Sequence, residues 1–158
     1  MAFGIDWGFT NDPTAIVSVY REDYSLYIRE HLYKTGLTNR DISIELDKLN
    51  LERTPIICDS AEPKSIEELF RLGHNVKPSK KGPDSVRLGI DIMKRHKLHI
   101  LSDSLNAQKE FRNYRWETDK NGHNINRPRD NHNHIIDAVR YICINRIGTS
   151  YSGKYYIS

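Results

Sequence analysis

The stretch Phe3-Gly4-Ile5-Asp6-Trp7-Gly8 alternates large apolar residues with glycine and aspartate. This period of two predicts a strand that buries Phe3, Ile5 and Trp7 on one face and carries Asp6 on the other. A carboxylate among apolar neighbours is costly unless it is paired or bound to a cation. Asp6 is therefore the first candidate functional residue.

Two further aspartates lie in comparable apolar settings. Asp59 directly follows the strand-like run Ile56-Ile57-Cys58, and Asp137 lies inside the apolar pattern of the last predicted helix. If the first and fourth strands are parallel neighbours, Asp6 and Asp59 lie side by side, and the last helix can bring Asp137 over them. Three converging carboxylates repel one another unless a divalent cation neutralises them, and oxygen ligands favour Mg²⁺ or Mn²⁺. The three together predict a metal site, whereas each alone is more typical of a capping or salt-bridged residue.

The rest of the chain shows a strand meander followed by alternating helices and strands. Hydrophobic periodicity and turn residues predict further strands over 15–20, 26–33, 55–59, 75–77 and 98–101. Helices are predicted over 38–49, 63–73, 86–97, 105–111 and 133–147, and Asn121-Gly122 predicts a hairpin turn between 114–116 and 124–126. This order implies a mixed sheet with helices on both faces.

Length and composition are those of one domain. The chain has 158 residues, and its apolar runs are too short to cross a membrane. The N-terminus lacks the basic and apolar segments of a secretory signal. Cys58 and Cys143 each lie in apolar sequence, which predicts buried free thiols. These features together predict a cytosolic protein.

Charge is distributed unevenly along the chain. The net charge is +3, but residues 1–70 carry 7 Lys or Arg against 13 Asp or Glu. Residues 71–99 reverse this balance with 8 basic residues against 2 acidic ones. An acidic first half and a basic middle indicate a polyanionic ligand, although solvated surface positions produce the same asymmetry.

Four segments carry a resemblance to a known family. They are Gly4-Ile5-Asp6-Trp7-Gly8 with Asn11-Asp12-Pro13-Thr14-Ala15, then Ile57-Cys58-Asp59-Ser60-Ala61-Glu62-Pro63, then Lys80-Lys81-Gly82-Pro83-Asp84-Ser85-Val86, and finally Asn133-His134-Ile135-Ile136-Asp137-Ala138-Val139-Arg140-Tyr141. In this order they resemble the nuclease domain of the large terminase subunit, the DNA-packaging motor protein of tailed bacteriophages. The resemblance covers residues 3–147, and its last segment is the most specific.

The resemblance implies an α/β fold of the RNase H-like type, with a mixed five-stranded central sheet flanked by helices and an additional β-hairpin. We expect this nuclease domain to span residues 1–148, followed by a flexible tail over 149–158. The chain has no phosphate-binding loop of the G-x-x-x-x-G-K-[ST] type. The N-terminal ATPase domain of a large terminase is therefore expected to be absent from this chain.

The resemblance also implies an endonuclease that cleaves double-stranded, concatemeric viral DNA by two-metal hydrolysis with Mg²⁺ or Mn²⁺. Asp6 would bridge both ions, Asp59 would hold one and Asp137 the other. His134, three residues before Asp137, would share its helix face and position water, relay a proton or complete the second metal site. Considered alone, His134 is more typical of a residue that caps the helix start.

Basic residues supply the candidate DNA contacts. Lys80 and Lys81 lie in a loop with glycine and proline, and Arg127 and Arg129 follow the predicted hairpin turn. Contacts from such residues to phosphates carry no base information, so we expect little sequence specificity. The alternative is that these residues only confer solubility. The resemblance implies an ATPase domain, a small terminase subunit and a portal as partners, no membrane, and action in the cytoplasm of the infected bacterial host.

Three other functions fit parts of the pattern. A resolvase or transposase-type nuclease of the same fold would differ mainly in its preference for branched DNA. A fragment of an actin-like ATPase would share the first strand motif but would need a second lobe, for which this chain is too short. A noncatalytic DNA-binding module would keep the acidic residues and show no metal-dependent cleavage.

Overall fold

The computed structural model describes residues 1–8, 11–114, 116–118, 124–128 and 133–148. These residues form a six-stranded mixed sheet with the order β5-β4-β1-β2-β3-β6 and a separate two-stranded sheet. The strands of the large sheet are β1 (Ala2–Asp6), β2 (Thr14–Glu22), β3 (Ser25–Lys34), β4 (Ile56–Cys58), β5 (Val76–Pro78) and β6 (Lys97–Ile100). The expected count of five strands is wrong, because β5 pairs with β4 at one edge and β6 pairs with β3 at the other.

The centre of the sheet has the predicted strand arrangement. β1 pairs with β2 in antiparallel fashion and with β4 in parallel fashion. β2 and β3 form the predicted meander, with a register shift at Ile16/Val17. The prediction that the first and fourth strands are parallel neighbours is therefore confirmed, and the two strands end at the same edge of the sheet.

Five α-helices lie among the described residues. They are α1 (Asn39–Asp47), α2 (Pro63–Arg71), α3 (Ser85–Lys94), α4 (Leu105–Asn113) and α5 (His134–Ile142). The spacing of Thr38 and Asp41 in the sequence predicts a capping box, which they form at the start of α1, and Pro63 is the first residue of α2. The predicted end of the third helix near Lys97 is wrong, because Lys97 begins β6 and pairs with Ser25.

The last predicted helix is two segments rather than one. α5 ends at Ile142, and a π-helical segment continues over Cys143–Ile147. Hydrophobic periodicity does not distinguish these two helix types over one turn. The π-helical turn matters for the site, because it carries Asn145.

The hairpin strands are β7 (Trp116–Thr118) and β8 (Asn124–Pro128), which pair in antiparallel fashion. The predicted Asn121-Gly122 turn lies outside the described residues, as does the predicted tail over 149–158. Among the residues that the structure does describe, no helix is long and apolar enough to span a membrane.

The sheet has an apolar cluster on each face. α1 and α2 pack on one face through Ile42, Leu46 and Leu69, and helices α3, α4 and α5 cover the other. Every residue of β1 is consequently buried, so the prediction of a strand buried on one face only is wrong. The helical spacing of Phe70 with Ile66 and Leu69 predicts that it lies on the buried face of α2; this prediction is wrong, because Phe70 is 63% exposed. The two cysteines are buried free thiols, as predicted.

Gly4 allows α5 to lie directly on β1. A Cβ atom at this position would come within 2.4 Å of the Ala138 backbone oxygen. Backbone cannot move aside at low cost, so no larger residue fits without displacing the helix. Gly4 therefore sets the distance between the strand that ends at Asp6 and the helix that carries His134 and Asp137.

We expect Gly4→Ala to lower the free energy of unfolding by about 1–3 kcal/mol, because the added methyl group overpacks a close backbone contact. Urea unfolding measures this change. Gly82→Ala is the control, since a Cβ atom at Gly82 meets nothing within 4 Å. Equal stability of the two variants would contradict the close packing at Gly4.

Candidate active site

Two aspartates lie at the adjacent carboxyl ends of β1 and β4. Asp6 is the last residue of β1, and Asp59 directly follows the last residue of β4. Ile5 pairs with Cys58 in the parallel register. Asp6 and Asp59 are the next residue on each strand, so they occupy equivalent positions on neighbouring strands. Asp6 is only 8% exposed. The predicted pairing of these two acidic positions is therefore present.

Helix α5 supplies a partner for each carboxylate oxygen of Asp6. The Nδ1 atom of His134 lies 3.0 Å from Oδ2, and the hydroxyl of Tyr141 donates to Oδ1 at 3.0 Å. Because Asp6 accepts at Nδ1, that nitrogen carries the proton and Nε2 remains available in the neutral ring. The hydrogen bond with Asp6 raises the pKa of His134, against the opposing effect of burial.

The contacts of His134 do not support the interpretation that it caps the start of α5. Its ring faces Asp6 rather than the backbone of α5, and its Nε2 lies 3.9 Å from an Asp12 carboxylate oxygen. The imidazole is therefore held between two acidic side chains from the segment around the end of β1. This environment suits a group that accepts or donates a proton.

The Tyr141 hydroxyl lies among all three predicted acidic residues. Burial raises its pKa, and the negative charges of Asp6, Asp137 and Asp59 raise it further. The hydroxyl proton itself is donated to Asp6. Tyr141 thus remains a neutral donor around which the three carboxylates are grouped.

Asp59 is paired with one of the two predicted DNA-binding lysines. The Lys81 ammonium group lies 2.7 Å from Asp59 Oδ1, which also accepts from the backbone N–H of Ala61 at 2.9 Å. Burial alone would raise the pKa of this carboxyl, but these hydrogen bonds outweigh it and lower the pKa. Lys81 therefore contacts the acidic site directly, whereas Lys80 is exposed.

Asp137 is paired with a buried arginine. The Arg140 Nε atom donates to Asp137 Oδ1 at 3.0 Å. Burial raises the pKa of Asp137, and the charge of Arg140 offsets this only in part. The Arg140 side chain passes over Gly89, where a Cβ atom would come within 2.2 Å of its Cγ. Gly89 therefore gives the arginine the room to reach Asp137.

Asn145 connects the loop that carries Lys80 and Lys81 to the last helix through hydrogen bonds. Its side-chain oxygen accepts from the Lys80 backbone N–H at 3.2 Å, and its Nδ2 donates to Ser79 and to the Tyr141 carbonyl oxygen. The π-helical turn carries this residue. The loop that bears Lys80 and Lys81 is thereby held beside the acidic residues.

The site residues found by sequence are largely brought together. One group, at the carboxyl ends of β1 and β4, contains Asp6, Asp59, Asp137, His134 and Lys81. Arg127 lies in β8 and Arg129 lies outside the described residues, so both assignments stay predictions. Sequence reasoning missed Tyr141 and Arg140 as site residues, although both lie within one helical turn of Asp137 and that spacing was a usable signal.

The carboxylates of Asp6, Asp59 and Asp137 are the oxygen donors available to a divalent cation. Among residues 1–8, 11–114 and 133–148, no three His, Cys, Asp or Glu side chains converge in a ready-made metal site. The three carboxylates instead pair with His134, Lys81 and Arg140. Their oxygen donors and shared negative charge nevertheless fit Mg²⁺ or Mn²⁺, provided that Lys81 leaves Asp59.

Comparison with known proteins places the chain in a family. A family model described as the terminase RNase H-like domain matches residues 6–143. The chain belongs to the terminase RNase H-like domain family. The large terminase subunit of Bacillus phage SPP1 is 36% identical over 149 residues, which cover 87% of this chain and 34% of that protein. The PBSX phage terminase large subunit of Bacillus subtilis strain 168 is 30% identical over 141 residues, with 87% and 33% coverage.

Solved structures of terminase nuclease domains have the same fold. The SPP1 large terminase nuclease domain with bound Mn matches with a TM-score of 0.81 and 33% identity, covering 90% of this chain and 85% of that chain. The nuclease of thermophilic phage G20c with bound magnesium matches with a TM-score of 0.66 and 18% identity, covering 89% and 78%. The RNase H-like fold expected from the sequence is confirmed. The chain spans about a third of the length of the two curated terminase relatives.

Proposed function

We propose that this chain is a divalent-metal-dependent endonuclease domain that hydrolyses phosphodiester bonds in double-stranded DNA during viral genome packaging. The observation that carries the proposal is that Asp6 and Asp59 follow paired positions of the parallel strands β1 and β4, while α5, which carries Asp137, contacts Asp6 through His134 and Tyr141. The fold is that of terminase nucleases, and the SPP1 domain was solved with Mn. We assign the nuclease to residues 1–148.

Two Mg²⁺ or Mn²⁺ ions are the proposed cofactors. Such ions would supply the charge that activates a water nucleophile and stabilises the leaving oxygen. Asp6 would hold both ions, since both of its oxygens face the other site residues. Asp59 would hold one ion and Asp137 the other.

The remaining side chains have separate roles in this proposal. His134 holds or moves a proton at Nε2, while its Nδ1 bond to Asp6 fixes the ring. Tyr141 orients Asp6 through its hydroxyl group. Arg140 limits the repulsion that Asp137 experiences from Asp6. None of these roles requires a large rearrangement of α5.

DNA binding is assigned to the basic residues beside the carboxylates. Lys80 and Lys81 line a cavity of about 510 Å³ with Arg95 and His96, next to the acidic edge. Phosphate groups would bind there through charge, without reading bases. Arg127 and Arg129 are proposed as further phosphate contacts.

The proposed setting follows from the relatives. Both curated relatives are large terminase subunits, of which this chain corresponds to about a third. We infer that it works with an N-terminal ATPase domain, a small terminase subunit and a portal. Its proposed place of action is the cytoplasm of the infected bacterial host, on concatemeric viral DNA.

Incubation with supercoiled plasmid tests the proposed activity. We expect nicked and linear products with Mn²⁺ or Mg²⁺ and none in EDTA. Persistent cutting in EDTA would contradict metal dependence, and no cutting under any metal would favour a noncatalytic DNA-binding module. A second substrate arm with four-way junctions separates the alternatives, because strong preference for the junction would favour a resolvase.

The combined substitution of Lys80 and Lys81 by alanine is expected to weaken DNA binding and flatten its salt dependence. Each lost phosphate contact should reduce the slope of log K against log[salt] by about 0.9. Fluorescence anisotropy with a labelled duplex in EDTA measures both quantities. Lys48→Ala is the control, since Lys48 forms an exposed pair with Glu45 at the end of α1. A slope equal to that of the control would show that the two lysines confer solubility alone.

A further inference from the structure

Glu110 is a buried carboxylate that joins two helices. It belongs to α4 and is 3% exposed. Its Oε2 atom accepts hydrogen bonds from the backbone N–H groups of Ile135 at 2.9 Å and Ile136 at 3.1 Å. These amides lie in the first turn of α5, where N–H groups have no partner within their own helix. Glu110 therefore satisfies two of them from outside.

Helix α5 has no capping side chain of its own. Its N-cap residue is Asn133, whose side chain makes no capping hydrogen bond. Glu110 supplies both the missing acceptor and the negative charge that favours a helix N-terminus. The start of α5 is thus fixed by a residue on another helix, 25 positions earlier than Ile135.

The two amides lie between two proposed active-site residues. His134 directly precedes Ile135, and Asp137 directly follows Ile136. A shift of this turn would change the 3.0 Å contact of His134 with Asp6 and move Asp137 together with it. A displacement of about 1 Å at an active site can lower the rate by up to about a hundredfold.

The second oxygen of Glu110 indicates that this side chain is not optimised for stability. Oε1 is buried and has no hydrogen-bond partner among the described residues. Burial raises the pKa of Glu110 to about 7, although the Ile136 N–H and the Tyr33 hydroxyl favour the ionised form. Proteins tend to retain such costly groups at functional sites.

We propose that Glu110 is a positioning residue that places His134 and Asp137 over Asp6 by capping α5 from α4. The proposal rests on the nuclease function given above. It assigns no contact between Glu110 and the DNA or the metal ions: Glu110 acts through the first turn of α5, and its negative charge also contributes to the raised pKa of His134.

Glu30 provides a matched control in the same molecule. Its two carboxylate oxygens accept from the Ala107 backbone N–H at 3.0 Å and from the Asn106 side chain at 2.6 Å. It therefore binds the first turn of α4 from β3, where the N-cap residue Ser104 makes no side-chain capping bond. Glu30→Asp shortens the side chain and withdraws its carboxylate from α4, as Glu110→Asp withdraws the other carboxylate from α5.

The test compares Glu110→Asp, Glu110→Gln and Glu30→Asp well below their melting temperatures. Glu110→Asp should lower kcat for plasmid cleavage at saturating Mn²⁺ on the order of tenfold, with little change in KM. Glu110→Gln keeps an acceptor oxygen and should recover most of kcat. Glu30→Asp should lower the melting temperature and leave kcat unchanged.

Two measurements by NMR do not depend on cleavage. In Glu110→Asp, the Ile135 and Ile136 amides should exchange at least several-fold faster, and the ¹⁵N shifts of the His134 ring should show loss of the single Nδ1–H tautomer. Wild-type kcat in Glu110→Asp, or an unchanged His134 ring, would overturn the proposal. An inactive wild-type protein with these NMR changes present would instead contradict the nuclease function and leave the positioning role standing.

Discussion

Asp6→Asn is expected to lower the rate of DNA cleavage by at least about a thousandfold, as for the loss of a central charged group in an active site. Asp6 is the carboxylate shared by His134 and Tyr141, and it is the proposed ligand of both ions. An amide oxygen still accepts from Tyr141 but carries no charge to hold a cation. Linearisation of plasmid in Mn²⁺ measures the effect.

The fold should survive this substitution. The amide has nearly the same shape as the carboxylate, so we expect the free energy of unfolding to change by about 1 kcal/mol. Asp103→Asn is the control, because Asp103 forms an exposed pair with Arg29 away from the site. Cleavage by Asp6→Asn at the rate of this control would remove Asp6 from the active site.

His134→Ala is expected to lower cleavage on the order of a hundredfold, as for the loss of a positioned acid or base. Its stability should change little, because Glu110 rather than His134 caps the start of α5. His31→Ala is the matched control, since His31 is a partly buried histidine that contacts Ser18 on the sheet. Activity and urea unfolding should be measured on both variants.

The dependence on Mn²⁺ concentration distinguishes two roles for His134. Recovery of the variant at high Mn²⁺ would show that the ring helps to hold the more weakly bound ion, because mass action refills a weakened site. A loss that persists at saturating Mn²⁺ indicates a role in proton transfer. Near-normal activity together with a stability loss of about 1 kcal/mol would instead return His134 to a capping role.

Local sequence signals predicted much of the fold. The alternation around Asp6, the capping box at Thr38 and the first-turn proline Pro63 each act over a few residues, and all three appear in the structure. The parallel pairing of β1 with β4 followed from the general handedness and order of strand and helix units. These rules were enough to place Asp6 beside Asp59.

Features that depend on tertiary packing could not be predicted in the same way. Phe70 has helical spacing with Leu69 and Ile66, yet it is 63% exposed whereas Leu69 is fully buried. The burial of both faces of β1 required knowing that α5 lies directly on Gly4. The pairing of Lys81 with Asp59 and of Glu110 with α5 joins segments whose separation in sequence carries no signal.

Anomalous diffraction at the manganese edge, from crystals grown with Mn²⁺, locates the ions of the proposed site. We expect two Mn²⁺ ions held by Asp6, one of them also by Asp59 and the other by Asp137, with Lys81 displaced from its 2.7 Å contact with Asp59. Mn²⁺ bound elsewhere, with the Lys81–Asp59 pair intact and the three carboxylates still held only by protein groups, would contradict the proposed site.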